Sequence, residues 1–232
     1  MNQIEILYEN DEIFVIDKPA GLAVQGGQGV SHSLDVDFAE QTGQKVYLVH
    51  RLDKDTRGLM IVAKNPLAAG KWTKLIASKA ARKEYLALCI GRMPQKSGVI
   101  KENLFQHGEE KSAVTHYLVE REWNLSSLSL SDSSVSSGKE GADCGKTSIQ
   151  NGQEIALSLI RLKLETGRMH QIRIHLAKNG CPIAGDDQHG NFKMNKVLRK
   201  AAGIKRLQLA AVRLTLPLKE GERTFEIHAD FE

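Results

Sequence analysis

The segment VHRLDKDTRGL (49–59) sets two carboxylates, Asp53 and Asp55, among His50, Arg51, Lys54 and Arg57. Such a pair could serve as the acid and base of a glycosidase. However, carboxylates two residues apart in one loop do not reliably flank a scissile bond, and the surrounding cations depress both pKa values where a general acid needs the opposite shift. A single ionised aspartate acting as a nucleophile suits this environment better. The plainer alternative is an Asp that caps its own loop. A second cationic constellation lies at TGRMHQIRIHLAKNG (166–180), where Arg168 and Arg173 stand at and just inside the start of an expected helix. Backbone N–H groups there add to the guanidinium charge and make a natural anion site, unless the arginines merely solvate an amphipathic face. His170 and His175 are five apart and fall on different faces, which is wrong for a zinc-binding helix, so no metal site is expected.

Other residues carry weaker signals. Tyr85 sits among apolar neighbours, as a core ring or as a ring able to stack on an extruded base. Lys18, beside Pro19, reads as a phosphate contact in a turn. Cys89, Cys144 and Cys181 are far apart and form no CxxC pair, which argues for reduced thiols and against structural zinc, with Cys181 buried.

These residues need a scaffold. EIFVIDKPAG (12–21) reads as a strand at 13–16 stopped by a turn, and GGQG (26–29) as a flexible connector without phosphate-loop context. KVYLVHRLD (45–53) and LMIVAKN (59–65) read as strands, with a tight turn at 55–58 holding the aspartates beside it. Asn65 and Pro66 start a helix to about Lys79, with Leu67, Trp72, Leu75 and Ile76 as its apolar stripe. KEYLALCIG (83–91) is a strand, GVIKENLFQHGEEKSAVTHYLVERE a hairpin and a further strand, and 155–164 a strand. In the 166–180 helix, Met169, Ile172 and Leu176 share one face, and His170, Arg173 and Ala177 another. The chain ends in strands joined by a turn at 219–222. From Ser126 to Ser137 eight of twelve residues are serine. Residues 124–153 therefore read as a mobile surface insertion, too polar to offset their ordering entropy. The expected class is α+β, one domain over 1–232 with a mostly antiparallel sheet and flanking helices.

Composition bounds the function. The chain has 232 residues, 41% apolar and 26% charged, as in an ordinary globular protein. It shows no secretory signal and no apolar run long enough for a transmembrane helix, so a cytoplasmic protein is expected. The net charge of +4 is mild. Its distribution is uneven: residues 1–40 carry one Lys against eight acids, 45–85 ten Lys/Arg against three, and 161–213 twelve against three. The two basic blocks can converge into a groove for a phosphate-rich partner.

Taken in order, YENDEIFVIDKPAGLAV, VHRLDKDTRGLMIVAK, RKEYLALCIG and LETGRMHQIRIHLAKNGCPIAGDDQHGN resemble the ordered motifs of the RluA-type RNA pseudouridine synthases. The resemblance covers nearly the whole chain outside the Ser-rich segment, and its most specific parts are HRLD-x-x-T-x-G and GR-x-HQIR-x-H. It implies the synthase catalytic fold with a central RNA-binding cleft, in a version without the small S4 domain. The substrate implied is large-subunit rRNA, with tRNA as an alternative and a non-catalytic RNA-binding protein as a further one. By resemblance Asp53 is the catalytic aspartate, Tyr85 the active-site tyrosine and Arg173 the arginine paired with the aspartate, while Leu209 packs under the uracil. The Tyr85 hydroxyl is also a candidate base for the C5 proton. Arg51, Arg57, Lys83, Arg168, His170 and Lys18 are the expected RNA contacts. The implied reaction requires no metal, nucleotide or redox cofactor, and a monomer is expected. Gln25, Arg57, Met169 and Ala210 depart from the family's usual residues, which bears on the choice of RNA.

Overall fold

A computed structural model describes residues 3–27, 31–106, 108–125, 154–229 and 231. Most of the Ser-rich stretch, 126–153, lies outside the described residues, as do Gln28 to Val30 of the Gly-rich segment. Ten strands join one sheet: β1 (Glu5–Glu9), β2 (Ile13–Lys18), β3 (Tyr47–Leu48), β4 (Arg57–Ala63), β5 (Arg82–Ile90), β6 (Ser97–Gln106), β7 (Glu109–Leu125), β8 (Ile155–Leu164), β9 (Leu209–Leu218) and β10 (Gly221–Glu226). The order is β1-β2-β4-β9-β5-β8-β7-β6, with β10 on β9 and β3 on β4. Among the described strands only β4 and β9 run parallel, through Arg57–Ala210 and Gly58–Ala211. The α+β class read from the sequence holds. No described helix is long and apolar enough to cross a membrane.

The central strands are apolar on both faces because helices cover both. Phe14, Ile16, Met60 and Val62 pack with Leu34 and Phe38 of α1 (Leu34–Thr42) and with Ile172 and Leu176 of α3 (Gln171–Lys178). The alternate residues Ile13, Val15, Leu59 and Ile61 pack against Ala68 and Trp72 of α2 (Pro66–Ala77). Leu88 and Ile90 meet Leu198 of α4 (Phe192–Ala201) on that second side. The Asn65 cap of α2 is as expected: its side chain accepts from the Ala68 N–H at 2.8 Å, with proline at the first helical position. Leu67 is not part of the apolar stripe, since it is 86% exposed and Ala68 takes the inward position. The segment after β5 is a single hairpin of β6 and β7, in which β7 is one 17-residue strand with a bulge between Val119 and Arg121. Helices α1 and α4 carry too few apolar residues to stand out in the sequence.

The parallel β4–β9 seam shapes the site. β9 holds only the first two residues of β4, and β3 holds only Val62 and Ala63. Between them the Ile61 N–H faces no strand, and His50 fills the gap, accepting from it on Nε2 at 3.1 Å. Burial, with the Lys83 charge second, pushes the His50 pKa well down, so the ring is neutral and its Nε2 lone pair is free to accept. The strand expected over 45–53 therefore shrinks to Tyr47–Leu48, because the chain leaves the sheet and delivers Asp53 to its rim. The turn also lies earlier than expected: Thr56 N–H donates to the Asp53 carbonyl at 3.1 Å, while Arg57 and Gly58 already belong to β4. At Gly58 φ is +118°, and a Cβ would lie 2.3 Å from the Ala211 carbonyl oxygen. Any side chain there must part the seam or strain the backbone. Gly58→Ala is expected to lower the unfolding free energy by about 3 kcal/mol in urea denaturation. A loss below about 0.5 kcal/mol, the size of an ordinary surface change, contradicts this reading of the seam.

Candidate functional site

A cleft of about 680 Å³ opens beside the seam, and Asp53, Tyr85, Leu209, His170, Arg173 and Lys83 all line it. The Asp53 loop is held from below by Lys18. The Lys18 amine donates to the carbonyls of Pro19, Leu22 and Lys54 at 2.8, 2.9 and 3.0 Å. Burial lowers the Lys18 pKa to about 8, against the pull of Asp55, Asp53 and Asp17. Three acceptors require three N–H donors, so the ammonium form holds the loop. The sequence expectation of a phosphate contact is thus corrected: Lys18 is fully buried and its donors are used.

Arg173 enters from α3. At 3% exposure it does not solvate the helix surface, the plainer of the two readings its sequence position allowed. The helix begins one residue after His170, which takes a left-handed φ of 52°, and this rotates Arg173 inward beside Ile172. Met169 falls outside the helix and is 51% exposed, so it is not part of the apolar face. Gln171 anchors the turn: its Nε2 donates to the Val114 carbonyl at 3.0 Å and to Thr115 Oγ1 at 2.9 Å, while its Oε1 accepts from the Arg168 N–H at 3.0 Å.

The guanidinium of Arg173 faces three carboxylates: Asp186, Asp53 and the exposed Asp187, whose Oδ1 lies 3.6 Å from Nη2. Nε and Nη2 form a fork on Asp186 at 2.8 and 2.7 Å, and Nη1 lies 3.8 Å from Asp53 Oδ2. The first contact is a bidentate, charge-assisted pair that fixes the plane of the group. The second is too long for a hydrogen bond but well within charge attraction. Asp186 Oδ1 also accepts from the backbone N–H groups of Gln188 and His189 at 2.9 and 3.0 Å. Burial opposes its ionisation, but the Arg173 fork and these two N–H groups outweigh that, holding its carboxyl below the ordinary value. Asn195 of α4 braces the loop, accepting from the Gly185 N–H at 2.9 Å and donating to the Asp186 carbonyl at 2.8 Å.

Around Asp53, His170 Nε2 stands 3.9 Å from Oδ2 while its Nδ1 pairs with His189 Nε2 at 2.9 Å. Tyr85 is buried, and burial with the Asp53 charge pushes its phenol well above the usual value. It is a neutral ring and an O–H donor; to act as a base it must first lose its own proton, which corrects the expectation of a ready base. Thr56 Oγ1 is buried with no hydrogen-bond partner among the described residues and also lines the cleft. Arg51, Arg168 and Lys83 line it as well, and burial lowers the Lys83 amine to about 8. Arg57 does not line it; its Nη2 donates to the His228 carbonyl at 3.3 Å.

A mixed sheet with a basic cleft at its seam, one aspartate and a fixed arginine defines the class. The model of the RNA pseudouridylate synthase family matches residues 12–178, and the chain belongs to that family. It is 35% identical over 190 residues to the ribosomal large subunit pseudouridine synthase C of Rickettsia typhi, covering 80% of this chain and 56% of that one. The synthase C of Salmonella typhimurium is 31% identical over 229 residues, 91% of this chain and 62% of its own. Ribosomal large subunit pseudouridine synthase D of Nitrosomonas europaea is 32% identical over 203 residues, 81% and 50% respectively. The chain therefore spans little more than half the length of these relatives. The solved structure titled Human RNA Pseudouridylate Synthase Domain Containing 1 shares the fold at a TM-score of 0.71 and 20% identity, covering 99% of this chain and 85% of that one.

Removing one partner of a buried fork leaves the other charge unpaired. Asp186→Asn is therefore expected to cost about 3 kcal/mol of stability at neutral pH. Because the folded Asp186 pKa lies below its unfolded value, the pair's contribution is complete above about pH 4 and disappears as acid protonates the folded carboxyl. Urea unfolding of wild type and variant should thus converge toward low pH; a gap that is constant with pH contradicts the assignment.

Proposed function

We propose that the chain converts uridine to pseudouridine in RNA, with large-subunit rRNA as the substrate class and Asp53, Tyr85 and Arg173 as the working residues. The observation that carries this reading is the Asp53 carboxylate at 3.8 Å from an arginine whose other edge is already committed to Asp186. An aspartate that only caps a loop has no need of such a neighbour. The names of the matched relatives, ribosomal large subunit pseudouridine synthases, support the substrate class.

The chemistry is that of the family, and the residues of the cleft are suited to carry it. The flipped uridine enters the cleft with its base between Tyr85 and Leu209. Asp53 either attacks C1′ or assists an elimination at the 2′ position; in both routes the N1–C1′ bond breaks and its electron pair stays with the uracil. The ring turns in place and C5 bonds to C1′: in the first route the Asp53–C1′ bond breaks as it does so and frees the carboxylate, and in the second the proton taken from C2′ is returned there. The C5 proton then leaves and N1 takes up a proton, so atoms and charge balance without a further reactant. Arg173 sets a fixed positive charge beside the Asp53 carboxylate and, being held by Asp186, does not swing away when Asp53 reacts. Arg51, Arg168 and Lys83 offer positive charge to the flanking phosphates.

Asp53→Asn tests the reading with C5-tritiated cellular RNA. Wild type should release tritium and the variant none, with RNA affinity within about threefold of wild type because no phosphate contact is lost. Absence of release by wild type sinks the enzyme assignment. Lys83 adds a pH signature: its ammonium form prevails below about pH 8, so RNA affinity should weaken as pH rises through that value. Titrating Kd against pH should show a flatter profile in Lys83→Met than in wild type.

A further inference from the structure

Helix α4 lies directly after the loop that carries Asp186 and His189 and turns one face to solvent. At 3.6 residues per turn, Phe192, Lys193, Lys196, Arg199 and Lys200 share that face, opposite Met194, Val197 and Leu198. The four cations are exposed, as are Lys205 and Arg206 just beyond the helix, and Phe192 is 56% exposed. No Asp or Glu occurs between Gln188 and Lys219. None of these six cations forms an ion pair with a described carboxylate. Several cations elsewhere do: Lys71 of α2 binds Glu12, Lys178 of α3 binds Glu102, and Arg92 and Lys96, between β5 and β6, both bind Glu122.

A solvated helix face ordinarily mixes signs, because like charges three or four residues apart repel. Lys193 also sits in the first turn, where the helix dipole disfavours a cation, and no acid balances it. The face is thus built against its own stability and suits a polyanion. The apolar side of α4 is packed on the sheet with Leu88, Ile90 and Ile204, which leaves Phe192 as the large apolar side chain exposed on the helix, too little surface to anchor it in a lipid layer.

We propose that the α4 face, with Lys205 and Arg206, is a docking surface for the phosphate backbone of an RNA helix flanking the target nucleotide. It stands next to the catalytic machinery: Phe192 follows His189 by three residues, His189 pairs with the cleft-lining His170, and Asn195 on the same helix braces the carbonyl of Asp186. The surface rests on the reading of RNA as the substrate and extends it from the flipped uridine to the neighbouring structure. It supplies affinity and orientation, not chemistry.

The test uses the triple variant Lys196→Gln, Arg199→Gln, Lys200→Gln, exposed positions whose thermal melt should match wild type. Fluorescence anisotropy with a ~20-base-pair RNA duplex, from about 50 to 200 mM salt, reads both affinity and salt dependence. At the lower salt the variant should bind at least about tenfold more weakly, and its log–log salt slope should be shallower by about 2, from three contacts at ~0.7–0.9 each. Equal affinity and slope overturn the proposal, as does a wild type that does not bind the duplex. It is overturned too if the substitutions weaken binding to phosphatidylserine vesicles and leave the duplex unaffected. A single-turnover tritium assay on C5-tritiated cellular RNA runs alongside: the variant should reach the wild-type end point at saturating protein. Failure of wild type in that assay removes the synthase reading, whereas failure of the anisotropy difference removes only the docking surface.

Discussion

Everything at the site depends on one buried ion pair, Arg173 with Asp186, because a guanidinium can face a reactive carboxylate reproducibly only if its other edge is tied down. An arginine side chain has enough rotamer freedom to lose its aim, and a fork of two parallel hydrogen bonds removes most of it. Burial makes the pair costly to assemble and costly to break. The fold meets that cost with further donors: two backbone N–H groups on Asp186 Oδ1 and the Asn195 amide on its carbonyl. Asp53 can remain partly exposed, at 23%, and still lie within the field of a fixed positive charge.

The second constraint is the break in the sheet. Where β4 and β9 touch through only two residue pairs, the sheet parts and leaves a cleft with strand-borne walls. Three residues stabilise that parting in different ways. Gly58 lets the backbones approach, His50 occupies the N–H left by the missing strand, and Lys18 gathers three carbonyls under the Asp53 turn. None of them needs to touch substrate. They position the loop that does, which ties the motif around Asp53 to sheet geometry as much as to chemistry.

Much of this was legible in the chain. Short apolar and β-branched runs located β2, β4, β5 and β9, and the ordered motifs pointed to Asp53, Tyr85 and Arg173, which the fold brings into one cleft. Other features depended on tertiary context. The DKPAG turn gives no sign that its lysine folds inward onto carbonyls, so Lys18 was misread. Helical periodicity left Arg173 open between an anion site and a solvated face, because it does not show the left-handed His170 after which the helix starts. Asp186 went unassigned, although it is one of only three acids in the strongly basic stretch 161–213. That isolation was the available signal. Helix α4 was missed because its cations outnumber its apolar residues, leaving Asn191 as the main local mark of its start.

The central claim is that Asp186, which does not line the cleft, controls the reaction by holding Arg173 toward Asp53. Single-turnover tritium release from C5-tritiated RNA, comparing Asp186→Asn with wild type at saturating protein and below the melting temperature of both, addresses it most directly. The account predicts a rate lower by about a hundredfold, the scale expected of a misplaced catalytic group, with RNA affinity unchanged. A variant that stays folded and reacts at the wild-type rate contradicts it.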